Sequence, residues 1–278
     1  MLYHLIRLLA VLSLERFYNK IVVANRERVA ENRPTIFVAN HPNTMIDALV
    51  VGYASHKRVR IVAKSGLFQN KFASWFLTKV GLIPIHRRQD DPSQMDQNVA
   101  IFGRLYEHLE SGGSVLLFPE GVSEPGRKLQ RIKTGAARIA LGAEEKNDFD
   151  LGVQIVPVGL NYSDIQKFRS DVYCRFGKPV LPGDYRQQYQ DDPVQVVRDL
   201  TETIRSGLEK VVALVGEDSL ENLVSSLQTI YKQELMTDLG LDERSQTDDF
   251  FVTKALIDAA RWFTKHDPDR MEKLSTEM

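Results

Sequence analysis

The feature that most constrains the fold of this chain is a regular alternation of short apolar runs with longer helical patterns. Runs rich in β-branched and aromatic residues predict strands at residues 21–24, 35–39, 58–63, 82–86, 114–118, 154–160 and 172–176. Helical patterns lie near residues 44–55, 69–79, 93–110 and 134–146. Because strands that alternate with helices build layered α/β domains, we expect a mixed, mainly parallel sheet flanked by helices.

The two ends of the chain differ from this middle part. Residues 1–20 form an oily segment in which leucines recur at helical spacing, which is typical of a helix lying in a membrane interface. A helix packed on the protein's own core would show the same pattern. From about residue 190 the sequence is helical and acidic. We therefore predict an interfacial helix over residues 1–20, a main domain over 21–185 and a helical extension over 190–278.

The net charge of −1 hides a strong asymmetry along the chain. Residues 1–180 contain 25 Lys and Arg against 17 Asp and Glu, whereas residues 181–278 contain 11 against 20. Two stretches without any acidic residue, 48–89 and 125–143, carry thirteen of the basic residues. Such a field attracts phosphate groups on a small substrate, a nucleic acid or an anionic membrane, although many surface charges are only solvated.

Cysteine usage and the length of the apolar runs narrow the class of protein further. Cys174 is the only cysteine, so we expect no internal disulfide, no cysteine-based metal site and a reducing compartment. No stretch of the sequence is both apolar enough and long enough to cross a bilayer.

The stretch VANHPNTMIDAL, residues 38–49, contains the first candidate for chemistry. His41 follows a predicted strand, at the edge of the sheet where α/β folds place their active sites. Asp47 lies on the first turn of the next predicted helix, where it could orient the imidazole of His41 as a general base. The same spacing fits a capping box, in which Asp47 serves the helix start and His41 is only a turn residue. This stretch alone leaves both interpretations open.

Three further predicted strands carry distinctive residues at or near their ends. VGLIPIHRR ends in Arg87 and Arg88, and VLLFPEGVSE contains Glu120 and Gly121. IVPVGLNY has Pro157 inside the strand, which indicates an edge strand or a bulge.

In their order along the chain, these four stretches resemble the motifs of the glycerolipid acyltransferase family, the PlsC-like lysophosphatidate and glycerol-3-phosphate acyltransferases. The first motif, Asn-His and a following Asp, is matched by Asn40, His41 and Asp47. The others are matched by Gly81, Ile83, Pro84 and Arg87, by Phe118, Pro119, Glu120 and Gly121, and by residues 155–158. Four motifs in the right order are far more specific than any one of them. The resemblance spans roughly residues 20–185.

The resemblance implies transfer of a fatty acyl group from an acyl-CoA or acyl carrier protein thioester to a glycerol-phosphate acceptor in phospholipid biosynthesis. The acceptor would be glycerol 3-phosphate, dihydroxyacetone phosphate or lysophosphatidate. His41 would be the general base and Asp47 its orienting acid, with no cofactor and no metal. Arg87 would bind the acceptor phosphate through its guanidinium fork. Glu120 would hold the acceptor or brace its loop, and Gly121 would allow close backbone approach.

One position departs from the family pattern. Many members read Phe-Pro-Glu-Gly-Thr-Arg-Ser, with the Arg contributing to phosphate binding, but Ser123 stands at that position here. The chain is therefore nearest the Phe-Pro-Glu-Gly-x-Ser subgroup, which is related to glycerol-3-phosphate and dihydroxyacetone-phosphate acyltransferases. Arg127 and Lys133 lie downstream and would replace the lost charge. By their motif positions, Asn40 and Pro157 complete the predicted substrate-binding residues.

A cluster of aromatic residues adds a prediction about membranes. Residues 65–79 combine Phe and Trp with interleaved lysines, as at a lipid headgroup boundary, so we expect peripheral or monotopic attachment to the cytoplasmic face of an anionic membrane. The main alternative is a non-catalytic phospholipid- or phosphate-binding protein on the same fold, which the presence of both His41 and Asp47 disfavours. Nucleic acid is not an expected partner, because the sequence has no helix-turn-helix, RNP-like or zinc-ligand signature.

Overall fold

The computed structural model describes residues 2–87, 90, 92–126, 128–214, 218–242 and 245–267. Within these ranges the helices are α1 (Leu2–Phe17), α2 (Thr44–Ser55), α3 (Lys71–Lys79), α4 (Asn98–Glu110), α5 (Gly135–Lys146), α6 (Arg186–Asp191), α7 (Pro193–Glu209), α8 (Asp218–Asp238) and α9 (Gln246–His266). The strands are β1 (Lys20–Ala24), β2 (Thr35–Ala39), β3 (Val59–Lys64), β4 (Leu82–Ile85), β5 (Ser114–Leu117), β6 (Gln154–Tyr162) and β7 (Asp171–Phe176).

The described strands form one sheet in the order β1-β7-β6-β2-β5-β3-β4. All neighbouring strands are parallel except β6 and β7, so β1 and β7 run opposite to the other five. The predicted mixed, mainly parallel sheet flanked by helices is thereby confirmed. Each predicted strand is present, with its ends displaced by at most two residues. The central strands are the clearest in the sequence, because apolar runs that are buried on both faces leave a continuous pattern.

Helices cover both faces of the sheet. All five residues of β2 are buried, as expected for a central strand of such a sheet. One face packs on α1 and α2 through an apolar cluster that includes Leu14, Phe37, Val50, Val156 and Val158. The other face packs on α4, α5 and α7 through a cluster that includes Ile36, Leu105, Ile139, Ile155 and Leu200.

The last two described helices pack against each other and on the β1–β7 edge of the sheet. The rings of Tyr173 on β7 and Phe250 on α9 lie 4.9 Å apart. The guanidinium of Arg175 lies 5.3 Å from the Phe250 ring and 5.5 Å from that of Phe251. The helical C-terminal part predicted from the sequence is thus present. The proposed boundaries at residues 20, 185 and 190 stay a prediction.

Helix α1 shows features of both predicted arrangements, a helix packed on the core and a helix with an exposed apolar face. Its C-terminal end packs on the core, where Leu14 and the following Tyr18 are buried. Further toward its N-terminus, four leucine side chains are about half exposed: Leu5, Leu8, Leu9 and Leu12. The helix is therefore anchored at its C-terminal end and presents an apolar surface from Leu5 to Leu12.

Pro157 does not mark an edge strand, because β6 lies inside the sheet between β2 and β7. The backbone N–H of Gly177 donates to Pro157 O at 2.8 Å, so the missing N–H of Pro157 faces away from β2. On that side the ladder with β7 starts only at Val158, after an isolated bridge between Ile155 and Val180. The proline thus occupies an interruption in the pairing of a central strand.

Candidate active site

His41 lies just beyond the carboxyl end of β2, in the loop that leads into α2. Its ring stacks on Phe118 with 3.8 Å between centroids and 12° between planes. Nδ1 lies 2.9 Å from Oδ2 of Asp47. Because a carboxylate only accepts hydrogen bonds, Nδ1 carries the proton of the neutral ring, and Nε2 keeps its lone pair. The described residues give Nε2 no hydrogen-bond partner, and the side chain stays partly exposed.

Asp47 is completely buried and accepts three hydrogen bonds. Besides His41, the backbone N–H of Asn43 donates to Oδ2 at 2.7 Å, and the hydroxyl of Tyr162 donates to Oδ1 at 2.6 Å. Asn43 is the N-cap of α2, so the same carboxylate both orients the imidazole and satisfies the start of the helix. The two interpretations of this residue describe one arrangement.

Ser123 ties the loop after β5 to the start of α2. Its hydroxyl accepts a hydrogen bond from the backbone N–H of Thr44 at 3.0 Å, and Glu124 N donates to His41 O at 3.2 Å. Thr44 has a φ of 43°, a left-handed backbone conformation that a β-branched residue rarely adopts. The contacts from the neighbouring loop therefore hold the turn that carries His41.

Glu120 braces two loops through its carboxylate. Oε1 accepts from His41 N at 3.1 Å, and Oε2 accepts from Gln130 N at 2.9 Å. The side chain is buried, which raises the pKa of its carboxyl, although these two backbone donors oppose the shift. Of its two predicted roles, the geometry favours bracing the loop, since both oxygens already serve backbone groups.

Asn40 fixes the other side of the catalytic loop to β6. Its side-chain N–H donates to Leu160 O at 2.9 Å, and Leu160 N donates to its Oδ1 at 2.7 Å. Since both ends of the buried amide are used in this way, Asn40 aligns the ends of β2 and β6.

Arg87 and Lys133 form a basic pair over the Gly121 turn. A guanidinium N–H of Arg87 donates to Gly121 O, and Nε and Nη2 donate to the two oxygens of Asp90 at 2.6 and 2.8 Å. The Lys133 side chain lies over Gly121, where a Cβ would collide with its Nζ. Gly121 also has a φ of 71°, so close approach and backbone conformation both require glycine there. The guanidinium of Arg87 thus holds the Asp90 carboxylate in a bidentate arrangement.

The titratable groups around this site respond to burial. Burial and the neighbouring Asp47 carboxylate raise the pKa of Tyr162 well above its usual value and that of Tyr18 to about 12. Both hydroxyls therefore keep their protons. Burial, reinforced by the positive charge of Arg87, lowers the pKa of Lys133.

The structure brings most of the predicted residues together, but not Pro157. Its ring packs on Gly177 and on Gly207 of α7, on the face of the sheet opposite to α2, so it supports the sheet and does not line the site. Arg88 and Arg127, the latter a predicted replacement for the lost charge, lie outside the described residues.

Sequence reasoning missed four residues that shape the site: Phe118, Ser123, Asp90 and Tyr162. Ser123 was noticed only as the absence of an arginine, and Phe118 only as a motif letter. Tyr162 is 115 positions from Asp47, and no local pattern indicates which distant hydroxyl will reach a buried carboxylate. The available signal was that Tyr162 ends the stretch IVPVGLNY, whose strand β6 lies next to β2 in the sheet.

The described residues contain no group of three or more His, Cys, Asp or Glu side chains placed to hold a metal ion. None of the helices in the described part of the chain is both long and apolar enough to cross a membrane. The chemistry that the geometry offers is proton transfer at Nε2 of His41 beside a basic pair.

Comparison with known proteins agrees with this arrangement. A family model described as Acyltransferase matches residues 20–161, which is half of the chain and contains every residue of the His41 site named above except Tyr18 and Tyr162. The chain belongs to the acyltransferase family. The resemblance inferred from the four motifs is confirmed, and O-acyltransferase is the chemistry of the matched family members.

Two relatives of the acyltransferase domain are named as enzymes that acylate glycerol 3-phosphate or its 1-acyl derivative. Glycerol-3-phosphate O-acyltransferase 1 of Saccharomyces cerevisiae is 32% identical over 152 residues, which cover 54% of this chain and 20% of the yeast protein. The chloroplastic 1-acyl-sn-glycerol-3-phosphate acyltransferase LPAT1 of Arabidopsis thaliana is 29% identical over 155 residues, which cover 55% of this chain and 39% of the plant protein. The chain therefore spans much less than two thirds of the length of either relative.

A solved structure shows the fold of the acyltransferase domain. The crystal structure of the 1-acyl-sn-glycerophosphate (LPA) acyltransferase PlsC from Thermotoga maritima superposes with a TM-score of 0.53 at 19% identity. The superposition covers 75% of this chain and 79% of that protein.

Proposed function

We propose that this protein transfers a fatty acyl group from an acyl thioester to the hydroxyl of a glycerol-phosphate acceptor in phospholipid biosynthesis. The observation that carries the proposal is the His41–Asp47 pair, with Nδ1 held at 2.9 Å from a buried carboxylate and Nε2 left open. The acceptors we propose are glycerol 3-phosphate, dihydroxyacetone phosphate and lysophosphatidate. The names of the yeast and plant relatives support this class of acceptor.

The proposed reaction needs no nucleophile from the protein. Nε2 of His41 removes the proton of the acceptor hydroxyl as its oxygen attacks the thioester carbonyl. The tetrahedral intermediate then expels the thiolate, which takes the same proton from the imidazolium, so the ring is restored. Asp47 stabilises the imidazolium and keeps the ring in the productive tautomer. The buried Cys174 takes no part, since burial raises its pKa to about 12 and keeps the thiol protonated.

Arg87 and Lys133 are the proposed contacts of the acceptor phosphate. The guanidinium fork of Arg87 is already shaped to a bidentate oxyanion, because it holds the Asp90 carboxylate in that way. Asp90 is exposed enough to leave, so a phosphate would replace it without exposing a buried charge. The donor would be acyl-CoA or an acylated carrier protein, acting as a substrate and not as a cofactor.

The proposed location is the cytoplasmic face of an anionic membrane, with peripheral attachment. The support is the row of exposed leucines on α1 together with the exposed Phe72, Trp75 and Phe76 on α3. Apolar side chains flanked by basic residues suit a headgroup boundary, and the cytoplasmic leaflet carries the negative potential that would attract the basic part of the chain.

The proposal is tested by an acyl-transfer assay with both donors across the three acceptors, on the wild type and on His41→Ala. Loss of the base should lower turnover by roughly 10²–10⁴-fold. His266→Ala, an exposed histidine on α9, is the matched control and should keep wild-type turnover. Retention of more than about a tenth of the turnover by His41→Ala would contradict the assignment of the base. Binding of phospholipid or phosphate without turnover by the wild type would favour the non-catalytic alternative.

A further inference from the structure

A cavity of about 660 Å³ connects the catalytic loop with the C-terminal helices. At one end it is lined by Asn40 and Pro42, which flank His41 on both sides, and by Tyr162, which contacts Asp47. At the other end it is lined by polar side chains of α8 and α9: Gln228, Lys232, Gln246 and Thr253. The cavity thus joins the proposed catalytic centre to a part of the chain beyond the family match at residue 161.

Gln246 is the unusual residue of this cavity. Both Oε1 and Nε2 of its side chain are shielded from solvent, and neither has a hydrogen-bond partner among the described residues. Other polar groups of the wall are paired: Gln228 donates to Thr253 Oγ1 at 2.9 Å, and Asn161 Oδ1 accepts from Ala213 N at 2.8 Å. A buried amide with both its donor and its acceptor unused is costly, and a ligand that meets both would recover that cost.

The ligand group that meets one donor and one acceptor side by side is another amide. A phosphate offers only acceptors at neutral pH and would leave Oε1 unpaired. The charges of the wall also argue against a phosphate, since Lys20 and Lys232 face three carboxylates, Asp164, Asp171 and Asp249. Lys232 is moreover paired with Asp249. The Arg87–Lys133 pair therefore suits anionic groups of a substrate, whereas this cavity suits neutral amide groups.

We infer that this cavity binds the pantetheine arm of the acyl donor, with Gln246 pairing with an amide of the arm. This inference rests on the proposed function, which requires a thioester at His41. Pantetheine carries two amides on an extended chain that ends in the thioester sulfur. The arm would run from α8 and α9 past Gln246 and deliver the thioester beside Asn40 and Pro42. CoA and acyl carrier protein share this arm, so the cavity recognises the chemistry common to both donors.

The decisive variant is Gln246→Leu, which removes the amide and keeps a side chain of similar size. We expect it to raise KM about 3- to 10-fold for acyl-CoA and for acylated carrier protein, because one polar pairing is lost. The KM of the acceptor should not change. An ethanethiol thioester of the same acyl group contains no amide, so Gln246→Leu should leave the KM for this donor unchanged.

Gln233→Leu is the matched control, since it makes the same substitution at an exposed glutamine on α8 that does not line the cavity. Equal effects of Gln246→Leu on the pantetheine donors and on the ethanethiol thioester would overturn the inference, and so would no effect on either. An effect with acyl-CoA alone would place the recognised group in its nucleotide and would overturn the assignment to the shared arm.

A binding measurement separates this inference from the proposed function. Calorimetry with unreactive S-alkyl thioethers of CoA and of pantetheine needs no catalysis. If the wild type transfers no acyl group, the proposed function fails. Tight binding of both thioethers by the wild type, weakened about 3- to 10-fold by Gln246→Leu and unchanged by Gln233→Leu, would still support the cavity assignment. No binding by the wild type, or equal binding by all three proteins, would refute it.

Discussion

Asp47 accepts hydrogen bonds from three groups whose tasks differ: the imidazole of His41, the backbone start of α2 and the hydroxyl of Tyr162. A buried carboxylate with three donors is held rigidly, and this rigidity passes to the histidine ring, which Phe118 fixes from its face. At the scale of single residues, the site is therefore organised around a buried acid that is hydrogen-bonded to three protein donors.

Replacing Asp47 tests this double task. An asparagine at position 47 has one acceptor and an NH₂ group that would face at least one of the three donors. We expect Asp47→Asn to lower turnover by roughly 10²–10⁴-fold and the free energy of unfolding by about 1–3 kcal/mol. Tyr162→Phe removes one donor only and should lower turnover about 3- to 10-fold. Turnover and urea unfolding are measured on both variants. A loss of stability by Asp47→Asn with turnover preserved would leave only the capping role.

Arg87 offers a test of the phosphate site. Arg87→Ala should raise KM for the phosphorylated acceptor about tenfold or more and leave KM for the donor unchanged, because a charge-assisted bidentate contact is lost for one substrate only. Arg87→Lys should restore little, since an ammonium group cannot form the fork. Asp90→Ala, which removes the carboxylate now held by the fork, should lower the acceptor KM. Equal changes in both KM values for Arg87→Ala would show that this arginine is structural.

At the scale of elements, the strands and the functional residues at their ends were largely predictable from the sequence. Which strands lie next to each other in the sheet was not predictable. Buried β-branched runs such as residues 35–39 identify themselves, because tertiary packing and local propensity agree there. The residues that complete the site come from other strands and loops: Ser123 caps the turn at Thr44, and Tyr162 reaches Asp47 from β6. Such contacts depend on strand order, which no local pattern encodes, and the same limit explains why the sequence could not decide whether Pro157 lies on an edge strand or at an irregularity inside the sheet.

The connection between α5 and β6 carries a pH-dependent contact. Glu144 on α5 is completely buried and accepts a hydrogen bond from Val153 N at 2.5 Å, while its Oε2 has no partner among the described residues. Burial raises the pKa of this carboxyl in the folded state, so its ionisation disfavours folding. The wild type should therefore lose stability relative to Glu144→Gln as the pH rises from the ordinary glutamate range through the raised pKa.

The measurement is urea unfolding of the wild type and of Glu144→Gln from about pH 4, near the ordinary glutamate pKa, to about pH 8. Glu145→Gln, at the exposed neighbouring position, is the control for the substitution itself. A difference between wild type and Glu144→Gln that stays constant with pH would contradict the predicted effect of burial.

At the scale of the whole molecule, the exposed aromatic residues of α3 and the acidic helices lie at opposite edges of the sheet. Helix α3, with its exposed Phe72 and Trp75, packs at the β4 edge of the sheet, whereas α8 and α9 pack at the β1–β7 edge. A membrane that contacts α3 therefore faces the basic part of the chain and not the acidic extension.

Vesicle pelleting tests this orientation. The protein should pellet with anionic vesicles, less so at high salt, because the electrostatic share of binding is screened. The double variants Leu5→Ser with Leu8→Ser, and Phe72→Ser with Trp75→Ser, should each weaken pelleting while turnover of a soluble short-chain thioester with glycerol 3-phosphate is kept. Ile230→Ser with Leu239→Ser removes exposed apolar residues from α8 and its following turn as a control. An equal loss of pelleting in all three double variants would mean that pelleting reflects non-specific hydrophobic adsorption.

The reversed direction of β1 has a consequence for how such an enzyme would meet its substrates. Because β1 runs antiparallel to β2, its first residue lies at the edge of the sheet where β2 ends, and Asn43 of the catalytic loop donates to Tyr18 OH at the α1–β1 junction at 3.3 Å. The helix that would rest on lipid therefore ends within one side chain of the base. An acceptor that diffuses in the plane of the bilayer would reach His41 without entering water. Turnover would then follow the surface density of the acceptor, and one molecule would convert many lipids on a single vesicle before it departs.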